Sequence, residues 1–173
     1  MKIAISLLIA VGLFGQTIKL PARLEALSRI ADETVDVTLD GAMLRFAERF
    51  LSDNDPEQAK VKRIIRGLNA IYIRTYEFSK ENSYSPADVD EIRAQFKGPE
   101  WSRVVETKEG DRSTSEIYMK MKGSEMAGLL VVAAEARELT IVHLDGIIKP
   151  EEVATLSGHI GLPRFVWGCR RCR

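Results

Sequence analysis

Met126 to Glu135 (MAGLLVVAAE) is an almost uninterrupted apolar run, and it limits the folds open to this chain more than any other segment. The run is far short of the ~20 residues that a membrane-spanning helix needs. Without polar alternation it reads as a strand covered on both faces, which places it at the centre of a sheet. Leu130 and Val132 share one face, and Leu129, Val131 and Ala133 the other. Ala136-Arg137-Glu138 separates it from a second strand, Leu139 to Ile147. So short a link closes an antiparallel hairpin, since a parallel return takes a crossover of a dozen or more residues.

Two further strands precede the pair. Trp101 to Lys108 and Thr114 to Lys122 are divided by Glu109-Gly110-Asp111, and Gly123-Ser124 leads on to the apolar run, giving a four-strand meander. Alternation of Glu116, Tyr118, Lys120 and Lys122 with Ile117, Met119 and Met121 suggests that one face of the sheet is wet. Upstream, Pro21 to Asp32 reads as a helix with Leu24, Leu27 and Ile30 on one stripe, and Thr34 to Leu39 as a half-buried strand. Asp40 caps a helix whose expected buried side is Met43, Leu44, Phe46, Ala47 and Phe50. Pro56 opens a helix carrying Val61, Ile64, Ile65 and Leu68. Ala70 to Phe78 is a strand rich in β-branched and aromatic residues. Ser85-Pro86 begins a helix with Val89, Ile92 and Phe96, and Pro150 a last one with Val153, Leu156 and Ile160. The fold class is α+β: one domain over residues 16–160, mostly antiparallel, with a C-terminal four-strand meander. The helices from Gly41, Pro56 and Pro86 are expected to pack mainly on one face, with the first or last helix shielding part of the other. Residues 161–173 form a tail.

The first residues differ from the rest. Lys2 is followed by an apolar stretch from Ile3 to Phe14 and then Gly15, the parts of a secretory signal peptide, with cleavage expected after Gly15. The expected location is therefore periplasmic or secreted. Basic and acidic residues number 25 each. A chain with no excess of positive charge has no global attraction to phosphates, so nucleic acid is not an expected partner. No segment after residue 15 is long and apolar enough to form a transmembrane span.

Candidate chemistry is sparse. His143 lies inside a strand with Ile141 and Asp145 on its face; a metal or proton-transfer role would need a second ligand, and a structural histidine is the plainer reading. His159 sits where a helix C-terminus favours a cation. Cys169 and Cys172 form a C-x-x-C, which can be a redox pair or half a zinc site, while in an oxidising compartment it closes a local disulfide. The same tail interleaves Arg164, Arg170 and Arg171 with Phe165 and Trp167, a pattern suited to an anionic membrane surface or an acidic partner. Asp53, Asp55 and Glu57 lack the glycine and final glutamate of a calcium loop. Neither a nucleophile elbow nor a phosphate-cradling loop is present, and no cofactor is expected.

The strand and helix at Val37 to Arg45 (VTLDGAMLR), the strand Ile71 to Phe78, a helix and a tryptophan-led strand are followed by EIYMKMKGSEMAGLLVVAAEARELTIVHLDGII. This order, with the closing "DGII" and short helix, resembles the bacterial exported proteins described as domain of unknown function 4252, over roughly residues 30 to 160. The resemblance implies a secreted or lipid-anchored envelope protein, often encoded near extracytoplasmic-type sigma factors, with no established activity. The chain departs from the anchored members in having no lipid-receiving cysteine after its apolar start. The functional expectation is a non-enzymatic envelope domain that binds another protein, in a regulatory or stress-response setting. The alternative is a metal- or thiol-active protein using Cys169 and Cys172.

Overall fold

The chain folds around one six-stranded sheet. The computed structural model describes residues 22–110 and 113–149. In chain order these form α1 (Ala22–Leu27), β1 (Glu33–Asp40), α2 (Gly41–Glu48), α3 (Pro56–Gly67), β2 (Leu68–Glu77), α4 (Pro86–Gln95), β3 (Trp101–Glu109), β4 (Ser113–Lys122), β5 (Glu125–Ala134) and β6 (Glu138–Ile148). Every neighbouring pair is antiparallel, in the order β1-β2-β6-β5-β4-β3. The fold is α+β, and β3 to β6 are the expected meander. The apolar run lies in β5, between β6 and β4, buried on both sides. The expected helix from Pro150 and the tail 161–173 lie outside the described residues.

Local chemistry starts α2, α3 and α4. The Asp40 carboxylate accepts the backbone N–H groups of Ala42 and Met43, each at 2.8 Å. Asp55 accepts those of Glu57 and Gln58, and these hydrogen bonds, Gln58 first, hold its carboxyl below the usual range. Pro56 and Pro86 supply the pre-set first turns of α3 and α4. Ser85 donates both its backbone N–H and its hydroxyl to Asp88.

The helices divide between the two faces of the sheet, where the sequence suggested that most would share one. Leu24 and Leu27 of α1 and Val89 and Ile92 of α4 pack on Tyr76, Leu130, Val132, Leu139 and Ile141. Leu44 of α2 and Ile64 of α3 pack on Leu129, Val131, Val142, Leu144 and Ile148. The two sets alternate along β5 and β6, so neither face is open at the centre. This overturns the wet face inferred for β4. Glu116 and Tyr118 are buried on the α1/α4 side, and Ile117 and Met119 are half-buried on the other.

Two helices also differ in detail. α1 ends at Leu27, and Ile30 is exposed. α2 is turned so that Leu44 points inward, while Met43, Phe46 and Phe50, expected inside, are exposed. β1 runs into α2 with no loop between Asp40 and Gly41, so the strand and its cap fix the phase of the helix. At the far end of the sheet, α3 enters β2 against the irregular end of β6. Gly67 and Gly146 cross there at backbone contact; a Cβ on Gly67 would meet the Ile147 carbonyl, and one on Gly146 would meet Gly67. Gly146 also has φ +135°, a conformation open to glycine. The "DGII" pattern thus marks a tight crossing of two chain segments.

Candidate functional site

Cross-strand register lays the α1/α4 face out in rows. One row reads Thr38, Tyr72, His143, Leu130, Tyr118 and Arg103; the next reads Asp36, Arg74, Ile141, Val132, Glu116 and Glu106. The chemistry of the face concentrates at His143 and Glu116.

His143 is 1% exposed. Its ring stacks on Tyr72 with centroids 5.8 Å apart and meets Phe96 at 5.5 Å and Trp101 at 5.8 Å. Neither ring nitrogen has a hydrogen-bond partner among the described residues. Burial disfavours the imidazolium, with Lys120 a smaller contribution, and lowers the pKa to about 4. His143 is therefore a neutral aromatic ring near neutral pH, stacked rather than hydrogen-bonded. Asp145, expected beside it, instead accepts a hydrogen bond from Asn69 at 3.2 Å.

Glu116 is 3% exposed. Arg93 of α4 donates its Nε to Oε2 at 2.5 Å, and Arg103 of β3 donates Nη1 to Oε1 at 2.8 Å. The Tyr118 hydroxyl adds a longer bond at 3.3 Å. Arg93 continues to Asp90 at 2.8 Å, and Arg103 to Glu106 at 2.9 Å. The carboxylate thus ties α4 to the β3–β4 hairpin. No spacing in the sequence points to this cluster, because Arg93 and Arg103 lie on different elements and Glu116 sits in what reads as a solvent-facing alternation.

A groove of about 620 Å³ opens where β2, the β5–β6 turn and the start of β4 meet. Asp32, Glu77, Glu81, Glu135 and Glu138 line it, against Arg137. Hydrogen bonds from Ser79, side chain before backbone, hold the Asp32 carboxyl below its ordinary range. In the adjoining depression the Tyr84 hydroxyl donates to the Glu135 carbonyl, and burial pushes its pKa up to about 12. Among the described residues no group of three or more His, Cys, Asp and Glu side chains could hold a metal ion. Cys169, Cys172, His159, Arg164, Trp167, Arg170 and Arg171 lie outside the described residues, so of the candidates from sequence only His143 is placed.

The two edges of the sheet are unequal. β3 is interrupted by a bulge between Arg103 and Val105 and carries Arg103 and Lys108. Bulges and charged side chains, lysine above all, discourage further pairing. β1 pairs with β2 over eight consecutive residues without a register shift, contains no lysine, arginine or proline, and has most of its side chains exposed. Its outer side has no strand partner among the described residues. No helix among them is long and apolar enough to cross a membrane.

A six-stranded antiparallel sheet, clad by helices on both faces, with a buried carboxylate tying one of them down, defines a small α+β domain. The chain belongs to the family described as domain of unknown function (DUF4252), whose family model matches residues 30–156. No curated protein and no solved structure matches the chain.

Proposed function

We propose that this is an exported envelope protein that works by binding another protein, taking an extended segment of that partner as an added strand along β1. The observation that carries the reading is the contrast between the edges: β3 is broken by a bulge and carries Arg103 and Lys108, while β1 pairs in unbroken register and holds no lysine, arginine or proline. Strand addition satisfies the outer row of backbone N–H and C=O groups, and side chains along the edge select the partner. Asp36 pairs with Arg74 at 2.6 Å and Asp40 caps α2, so of the acids on β1 it is Glu33 that favours a segment bearing Lys or Arg. Export rests on the basic, apolar and small-residue order of Met1 to Gly15.

Photo-crosslinking in the native envelope tests the reading. A photoreactive phenylalanine at Val35 of β1 is expected to yield a discrete protein adduct that a second substitution on the same edge, Thr34→Lys, abolishes without changing the melting temperature. The same probe at Val104 of β3 should yield none. Equal adducts at both edges, or none at Val35, would overturn strand addition, and a protein recovered from the cytoplasm with Met1 to Gly15 intact would overturn export.

A further inference from the structure

α2 presents a surface that the core does not use. Met43, Phe46 and Phe50 are 52%, 57% and 73% exposed, and the two rings meet edge to face at 5.1 Å. Met43 and Phe46 lie about 60° apart around the axis of α2, and Phe50, in the turn that follows Glu48, brings its ring against Phe46; Arg49 lies about 60° beyond Phe46 and Arg45 about 100°. The charges around this patch are unevenly satisfied. Arg66 pairs with Glu48, Lys62 with Asp53 and Lys60 with Glu57, each at 2.6 Å. Arg45, Arg49 and Arg63 are exposed, and among the described residues none has a carboxylate within ion-pairing distance. The α2–α3 layer therefore shows an apolar patch beside unpaired cations on a chain whose total charges balance.

We propose that this face docks on an anionic lipid bilayer, with Phe46, Phe50 and Met43 entering the boundary between headgroups and acyl chains and Arg45 and Arg49 meeting lipid phosphates. Apolar side chains flanked by arginines are the composition that holds a helix in that boundary, through buried apolar area plus attraction to anionic headgroups. Charge argues against the other occupants. A second copy docked through the same patch about a two-fold axis would set Arg45 and Arg49 against their own counterparts. The C-terminal sequence has Arg164, Arg170, Arg171 and Arg173 and no acid after Glu152, so its charge is also of the wrong sign. An acidic protein would meet the cations but would need a preformed socket for two protruding rings; a fluid interface needs none.

Vesicle flotation with the full chain tests this. Binding is expected on vesicles containing phosphatidylglycerol and about tenfold weaker on phosphatidylcholine alone. Two double variants, Phe46→Ser with Phe50→Ser and Arg45→Glu with Arg49→Glu, should each weaken binding to the anionic vesicles by about tenfold or more while keeping the wild-type melting temperature. No binding by the wild type would overturn the proposal. So would binding that both variants retain, which would assign it to other parts of the chain, or equal binding to the two kinds of vesicle. A concentration-dependent dimer that Phe46→Ser and Phe50→Ser abolish, without vesicle binding, would overturn it in favour of a second copy.

Discussion

On the α2/α3 side of the sheet the buried cluster contains only aliphatic residues and Met126, whereas on the α1/α4 side aromatic rings, a histidine and a carboxylate share the interior. Aliphatic packing is strong but non-directional, so α2 and α3 are held by the area they cover. α4 is held in addition by bonds that work in one placement only: sliding it along the sheet would pull Arg93 from Glu116 and Phe96 from Trp101. One sheet thus carries a layer fixed by bulk and a layer fixed by orientation. The buried charge is tolerable because both arginines keep contact with water at their outer ends.

The largest effect should come from forcing polarity into the aliphatic side. Val131 lies between Ile117 and Val142 in the register, with no cation in its cluster. Val131→Asp is expected to cost at least ~4 kcal/mol and leave the domain unfolded, as seen by circular dichroism. A cooperative melt near the wild-type temperature would mean that this side is less tightly closed than described.

His143 sharpens the contrast through pH. Its folded pKa of about 4 lies below the ordinary value of 6.5. The unfolded chain takes up a proton below about pH 6.5 that the folded protein refuses until about pH 4. Stability from this group is therefore complete above about pH 6.5 and falls by something on the order of 3 kcal/mol as the pH drops towards 4, levelling off below. His143→Phe keeps the ring stack without the proton site. It should match the wild type near neutral pH and exceed it in acid, and urea titrations from about pH 7 to about pH 4 compare the two curves. Parallel curves would show that His143 is reached by water.

Glu116→Gln keeps the shape but removes the charge that orients α4. Because Arg93 and Arg103 can turn to solvent, the expected loss is about 2 kcal/mol, read from denaturant midpoints. A larger rise in amide exchange in α4 than in α3 would mark the loss as local. The smallest effect belongs to Phe46→Ser, which should move stability by no more than about 0.5 kcal/mol, since the ring lies outside the core.

The sequence made the aliphatic layer of the sheet readable and the polar one opaque. The run from Met126 announces a strand covered twice over, because only burial on both faces explains it. Glu116, Tyr118 and Lys120 alternate as a solvent-facing row would, yet Glu116 and Tyr118 lie beneath α4. Alternation states that two faces differ, not which is buried, once the buried one holds an ion pair. In α2 the spacing of Met43, Phe46, Ala47 and Phe50 describes a regular apolar stripe. The direct junction of Asp40 with Gly41 keeps Leu44 inward as expected but turns Met43, Phe46 and Phe50 outward, and that geometry is invisible to periodicity. The Arg93–Glu116–Arg103 cluster joins three elements whose proximity exists only once the sheet has formed.

The seam between β2 and β6 has a consequence for how the chain reaches this shape. It joins Asn69 to Asp145 across 76 positions and Thr75 to Thr140 across 65, while β3 to β6 are linked by short turns. The meander can assemble from local contacts, but β1 and β2 can join only after a long loop has closed, and closing it is the entropically slow step. A chain in which the meander alone had formed would present β6, with Leu139, Ile141, Val142 and Leu144, as a bare apolar edge. That edge would be an adhesive surface, and docking of β2 removes it.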